Sequence, residues 1–242
     1  MGNFQSFALR KKKTARFRLT KPNRGSRKGD FIISSVTKKI NPENPEPDII
    51  RDAADVIRKG GAVLFPTKCL YGLGADALNP DAVDRIFEIK QRPRGKPILV
   101  LIHRKKELEL LVKGVPPAAS RIMDKFWPGG VTIVFEAKNT LPENLTAGTG
   151  KIGVRMAGHP AAFALAQAVN GPVTGTSANL AGQPGCSQAD ELDMQVGERL
   201  DLILDAGLLR GGAGSTIIDV TYCFPKILRD GAVPAKNILS LF

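Results

Sequence analysis

Ile98-Leu99-Val100-Leu101-Ile102 is an unbroken run of five large apolar residues between Pro97 and His103. It shows neither the spacing of a surface helix nor the alternation of a half-exposed strand, so it reads as a strand covered on both faces. Such a strand needs a layer on each side of its sheet. Helical stripes provide those layers. Ile49, Ile50, Ala53, Ala54, Val56 and Ile57 recur at helical spacing between Asp48 and Lys59, and Gly60-Gly61 ends that helix. Ala62-Val63-Leu64-Phe65 then reads as a second buried strand, closed by Pro66.

The same alternation continues along the chain. A loop is expected from Thr67 to Ala75, followed by a helix with Asn79 as its cap, Pro80 in its first turn, and Val83, Ile86, Phe87 and Ile89 facing inward. Helical segments are expected at 105–112 and 117–126, and Trp127-Pro128-Gly129-Gly130 breaks before the strand Val131–Phe135. A strand at Lys151–Arg155, a helix at Pro160–Asn170, a short strand at Val173–Gly175 and a helix at 188–199 follow. Strands at Leu202–Leu204, Ser215–Val220 and Lys226–Arg229 complete the pattern. The expected fold class is α/β (α+β in some schemes), with helices around a twisted, mixed central sheet.

Charge divides the chain. Residues 1–45 carry twelve Lys or Arg against Asp30 and Glu43, whereas the remaining 197 residues hold 23 basic and 21 acidic side chains. The net charge of +12 is therefore mostly a property of a leader, and the body is nearly neutral. Residues 1–47 read as a basic, flexible extension ending in the proline-rich connector Asn41–Pro47, and residues 48–242 as the folded domain. The leader is open to several readings: a solvated segment, an arm for tRNA or an anionic membrane, or an organellar address. Met1-Gly2 with Ser6 fits a loose myristoylation pattern. No apolar run of transmembrane length occurs, and Cys69, Cys186 and Cys223 have no metal-site or disulfide-framework spacing.

Polar chemistry gathers at strand ends. Pro66–Gly74 joins a buried strand to a helix and contains Thr67, Cys69, Gly72 and Gly74, but neither a P-loop nor a G-x-G-x-x-G pattern. Lys90-Gln91-Arg92-Pro93-Arg94-Gly95-Lys96-Pro97 is a proline-restricted basic loop suited to phosphate oxygens, of a nucleotide or of an RNA backbone. Gly175-Thr176-Ser177-Ala178-Asn179 brings a hydroxyl and an amide, and Lys151, Arg155, Ser215 and Arg229 lie at other strand ends. His103, His159, Asp205 and Asp219 form no recognisable base or metal motif.

These loops, in this order and spacing, resemble the YrdC/Sua5 family, the threonylcarbamoyl-AMP synthases, over residues 49–234 or so. The resemblance rests on Pro66-Thr67 with Tyr71-Gly72-Leu73-Gly74, Lys90-Gln91-Arg92 with Lys96-Pro97, and Phe126-Trp127-Pro128-Gly129. It continues through Val154-Arg155-Met156 with His159-Pro160, Ser177-Ala178-Asn179, Gly214-Ser215-Thr216 and Ile227–Gly231. The extra C-terminal domain of longer members is not matched, so the likeness is to the short, single-domain form.

The resemblance implies a cytoplasmic nucleotidyltransferase that condenses L-threonine, bicarbonate and ATP, with Mg²⁺ accompanying the nucleotide. Its product would pass to transferase-complex proteins for the t6A modification of tRNA at adenosine 37. It implies Lys90 and Arg92 as catalytic residues and Arg92, Lys96, Lys151, Ser177, Asn179, Gly185 and Arg229 around ATP. Thr67, Cys69, Leu101, Arg155, Gly175 and Ser215 would surround threonine, with Arg155 on its carboxylate. Metal ligands remain unassigned. Five positions depart from the family pattern: Lys68 replaces an acid, Cys69 a hydroxyl, Leu101 a polar residue, Ala157 a proline and Gly185 a serine. The other readings are a double-stranded RNA or tRNA-binding protein using the leader, Lys90 and Arg92, and a carbamoyl-adenylate-forming module of a non-tRNA pathway.

Overall fold

The computed structural model describes residues 36–242. The first strand, β1 (Val36–Lys39), runs parallel to β9 (Leu202–Asp205), with Val36 opposite Leu202 and Lys39 opposite Asp205. Ile40 follows, buried in an apolar cluster with Ile50, Ala53 and Leu204. The folded body therefore includes residues from Val36 on, and its expected start at residue 48 is corrected. The rest of the basic extension lies outside the described residues. The connector is a closed turn rather than an extended spacer, since Asn41 Oδ1 accepts from the amides of Glu43 and Asn44, each at 3.0 Å.

Helix α1 (Pro47–Arg58) buries Ile50, Ala53, Ala54 and Ile57 against α6 (Pro160–Val169), whose Ala161 and Ala162 let the two axes approach closely. Strand β2 (Val63–Pro66) is fully buried and pairs antiparallel with β3 (Tyr71–Gly74). That second strand lies where a loop was expected. Glycine is a poor strand former, yet Gly72 and Gly74 are needed here: a Cβ on them would sit 3.1 and 2.9 Å from the Phe65 ring. Helix α2 (Pro80–Lys90) begins as expected, Asn79 Oδ1 accepting from the amides of Asp81 and Ala82. It ends on Gln91 at φ 47°, a left-handed turn that swings Arg92 away from the helix axis.

The apolar run at 98–102 contributes only β4 (Val100–Ile102), because Ile98 N bonds to Leu145 O instead of a strand neighbour. A short 3₁₀ turn leads into α3 (Leu108–Leu111), then α4 (Pro117–Phe126), β5 (Val131–Glu136), α5 (Glu143–Thr146) and β6 (Lys151–Met156). After α6 come β7 (Val173–Thr174) and β8 (Thr176–Ser177). The helix expected at 188–199 is reduced to a 3₁₀ turn and α7 (Met194–Gly197). Glu191 turns back onto the amides of Ser187 and Gln188, and Asp193 starts the chain again by capping Gln195. Strand β10 (Thr216–Asp219), strand β11 (Lys226–Arg229) and α8 (Ala235–Leu239) finish the fold.

Two mixed sheets result, in place of one central sheet. Their orders are β1-β9-β2-β3-β8 and β11-β10-β5-β6-β4-β7. The chain steps from the second sheet to the first across one residue, Gly175, between β7 and β8. A Cβ there would lie 2.5 Å from Leu101 Cγ, so only glycine permits the step without displacing β4.

Removing β1 should cost the body stability. A chain of residues 47–242, compared with one of residues 34–242, loses the edge strand and buried Ile40, worth about 1.5–3 kcal/mol for the side chain alone. Thermal unfolding should then fall by roughly 4–10 °C. Equal melting of the two chains would show that β1 adds nothing to the fold.

Candidate functional site

A cleft of about 280 Å³ opens where the two sheets meet. Its walls are the β2–β3 loop, the segment after α2, Gly129-Gly130, the end of β6 with the start of α6, the Gly175 step, and Gly214-Ser215 under Arg229. Lys68, Arg92, Arg155 and Arg229 all line it, and no Asp or Glu among the described residues does. Four cations without an acid, in a nearly neutral body, make a field that attracts anions into a partly desolvated space. The first turn of α6 adds its positive dipole end through His159 and Ala162.

Local bonding fixes each cation. Arg92 donates from Nε to Lys96 O at 3.0 Å and from Nη2 to Pro97 O at 2.9 Å, and its remaining N–H donors have no partner among the described residues. Arg229 folds over Ser215, donating to its carbonyl from Nη2 at 2.7 Å and from Nε at 3.1 Å. Ser215 Oγ lies 2.8 Å from Thr132 Oγ1, so this buried corner is tied to β5. Arg155 has no acidic partner among the described residues, and its buried Nε has no hydrogen bond. Burial first, then neighbouring Arg229, presses its guanidinium down to about 10. Such a side chain is preorganised for a ligand carboxylate and costly without one.

The hydroxyl side of the cleft is equally ordered. Thr67 Oγ1 donates to Leu70 O at 2.6 Å, which closes its turn, and the residue lines the cavity. Cys69 sits on the same loop and lines the wall. Ser177 Oγ bonds Asn179 Oδ1 at 2.5 Å, and Gly185 packs against Ser177, where a Cβ would stand 3.4 Å from the serine Cβ. Tyr71 is pinned between Gly207 O, which accepts its hydroxyl proton at 2.8 Å, and Ala206 N, which donates to it at 2.9 Å. Burial pushes its phenol up to about 12, so it stays neutral.

Nine expected site residues line this one cleft: Thr67, Cys69, Arg92, Arg155, Gly175, Ser177, Gly185, Ser215 and Arg229. Five do not line it, each for a local reason. Lys90 is buried at 1% exposure and turned into the 177–179 loop. Lys96 is exposed and gives the cleft only the carbonyl that holds Arg92. Lys151 pairs with Asp219 at 2.9 Å beneath Tyr222, four residues up β6 from Arg155 and so about 13 Å away along the strand. Asn179 spends its amide on Leu180 O and Gln183 O. Leu101 lies behind Gly175 and supplies packing rather than surface. Lys68, His159 and the Gly129-Gly130 and Gly158 backbone were missed as site residues. His159 Nδ1 is buried without a partner, and burial holds the imidazole below its ordinary range.

A resident Mg²⁺ does not fit these residues. Among the described residues the cleft offers no carboxylate, and no group of three or more His, Cys, Asp or Glu could hold an ion. Asp205 serves the Gly207 amide and Asp219 serves Lys151 and Thr221.

Arg155→Met should raise thermal stability, because it removes an unpaired enclosed charge and keeps most of the packing. A gain of about 1 kcal/mol, or roughly 2–4 °C in Tm, is expected from calorimetric unfolding. A fall in Tm would mean that Arg155 is compensated in the free protein and is not poised for a ligand.

The Sua5/YciO/YrdC family model, described as "Telomere recombination", matches residues 55–231. The threonylcarbamoyl-AMP synthase of Pyrococcus abyssi is 39% identical over 207 residues, covering 86% of this chain and 59% of that protein. Its namesake in Bacillus subtilis is 35% identical over 204 residues, covering 84% of this chain and 58% of that protein. This chain thus spans about three fifths of the length of these curated relatives. A crystal structure of P. abyssi Sua5 complexed with L-threonine superposes with a TM-score of 0.80 at 36% identity, over 86% of this chain and 61% of that one. The Escherichia coli YciO structure gives a TM-score of 0.75 at 31% identity, over 85% of this chain and 100% of that one. With the family model matching from α1 to the end of β11, through every loop that builds the cleft, the chain belongs to the Sua5/YciO/YrdC family.

Proposed function

We propose that this protein is an L-threonylcarbamoyladenylate synthase, a nucleotidyltransferase that joins L-threonine, bicarbonate and ATP into threonylcarbamoyl-AMP and pyrophosphate. One observation carries the reading: Arg92, Arg155 and Arg229 converge with Ser177 and Ser215 on a cleft that no acid among the described residues lines, in a chain 36% identical to a protein crystallised with L-threonine. The reactants suit such a field, since ATP, bicarbonate and the threonine carboxylate are all anionic.

The amine of threonine, once deprotonated, combines with bicarbonate to give a carbamate and water. A carbamate oxygen then attacks the α-phosphorus of ATP, and the bond to the leaving pyrophosphate breaks. Arg155 would hold the threonine carboxylate in a fork of two N–H bonds. Arg92 and Arg229 would hold phosphate oxygens and stabilise the charge that moves onto pyrophosphate, and Ser177 would donate to a further oxygen. Magnesium would enter bound to the nucleotide as part of the substrate. Bound reactants filling the cleft would limit the water that can reach the carbamate and the mixed anhydride. In this reading the adenylate passes, in the cytoplasm, to transferase proteins that modify adenosine 37 of tRNA.

A reading as an RNA-binding protein loses one of its supports, because Lys90 is buried and cannot meet a phosphate backbone. Where Cys69 replaces a hydroxyl, the amino-acid side of the site has a weaker donor. Pyrophosphate release should therefore be measured with threonine, serine and several other amino acids, with and without bicarbonate. Release that requires threonine and bicarbonate together is the expected result. Release independent of bicarbonate would overturn the carbamate step. Arg92→Ala should lower the rate by roughly one to three orders of magnitude, the loss typical of one charge-stabilising donor. Unchanged turnover would remove Arg92 from the reacting phosphates.

A further inference from the structure

Lys90 closes the last turn of α2, two residues before Arg92, yet its side chain points away from the cleft. Its ammonium donates to Ser177 O at 2.5 Å, to Asn179 O at 2.8 Å and to Asn179 Oδ1 at 3.4 Å. The loop answers with Ala181 N, which donates to the Lys90 carbonyl at 2.8 Å. Asn179 then knots the loop internally, accepting from Ser177 Oγ and donating to Leu180 O and Gln183 O. Three oxygens converging on one buried nitrogen match the three donors of an ammonium; a neutral amine has only two. Both partners joined by this nitrogen face the cleft elsewhere: Ser177 through its own side chain, and Lys90 through Arg92 on the same turn.

We propose that Lys90 is a positioning residue, an internal ammonium pin that sets the Ser177–Gln183 loop against Arg92 and holds it only while protonated. The proposal rests on the synthase reading for its effect on turnover, but not for its effect on the loop. Burial first, then the charge of Arg92, lowers the Lys90 ammonium to about 8, with the buried Cys186 thiol acting weakly the other way. Those two groups face it from the 91–97 loop and the 179–187 loop. No carboxylate pairs with it among the described residues.

The signs are distinctive. Above about pH 8 the native lysine gives up its proton while the unfolded one keeps it until near pH 10.5, so this group's contribution to global stability rises across that window. Loop order should fall over the same window, because one converging oxygen loses its donor. Local protection and global stability therefore move in opposite directions.

The test uses the full chain. Threonine-dependent pyrophosphate release should decline above about pH 8 in the wild type. In Lys90→Met the rate at pH 7 should fall about 10- to 100-fold, mostly in kcat, with no step left near pH 8. Lys90→Arg should not rescue, because a planar guanidinium cannot serve three converging oxygens. Amide hydrogen exchange over residues 177–183, corrected for intrinsic rates, reads the loop directly at pH 7 and pH 9. Loss of protection at pH 9 in the wild type supports the pin even if no pyrophosphate is released, in which case the synthase reading alone fails. Unchanged protection, or a step near pH 8 that survives in Lys90→Met, overturns the pin even if the enzyme is active. If Lys90→Met does not fold, the wild-type exchange series decides.

Discussion

The cleft depends on the single-residue step from one sheet to the other. Gly175 passes so close to Leu101 that any side chain would push β4 away from it. Strand β4 is paired with β6, and β6 carries Arg155 directly opposite Leu101. A displacement at the step would therefore move the arginine as well. Ser177, two residues further on, is carried on β8 at the edge of the other sheet. One tight backbone passage thus sets the width of a cavity to which one sheet brings Arg155 and Arg229 and the other brings Thr67 and Ser177.

Electrostatics in that cavity work against the fold and toward a ligand. Arg155 and Arg229 repel each other, no acid among the described residues lines the walls, and burial lowers the guanidiniums of Arg92, Arg155 and Arg229 alike. The structure tolerates this because main-chain carbonyls hold Arg92 and Arg229, at Lys96, Pro97 and Ser215. Carbonyl dipoles position a cation without cancelling its charge, so the positive field survives for an anion. Carboxylate partners would have stabilised the empty protein and quenched the site. Lys151 shows that alternative, since its pairing with Asp219 keeps its charge out of the cleft.

Much of the chain was legible from residue pattern. Helix α2 starts at the Asn79 cap, α6 begins with Pro160, and β5 and β6 fall within a residue of their apolar runs. Strand β3 was not legible, because Gly72 and Gly74 read as a turn until the Phe65 ring that needs their space is seen across the β2–β3 pair. The helix expected at 188–199 failed for a local reason: Glu191 and Asp193 satisfy backbone amides that a continuous helix would have used. Of the site, family signatures pointed to loops that meet at one cleft but could not separate a side chain that faces the cavity from one that braces the wall. Lys90 and Asn179 belong to the bracing kind, as does Leu101.

By itself the order of residues determined the layered α/β class, the separation of a basic leader from a nearly neutral body, and the loops that carry cations and hydroxyls. Apolar periodicity and capping are local, so they survive in one dimension. Only the tertiary structure decided that two sheets replace one, that Val36–Lys39 belongs to the body, and which charges share the cleft. Those outcomes depend on partners distant in sequence: Asp219 for Lys151, Ser177 and Asn179 for Lys90, Leu202 for Val36. A lysine's direction is set by whichever acceptor lies within reach after folding, and no pattern along the chain records that distance.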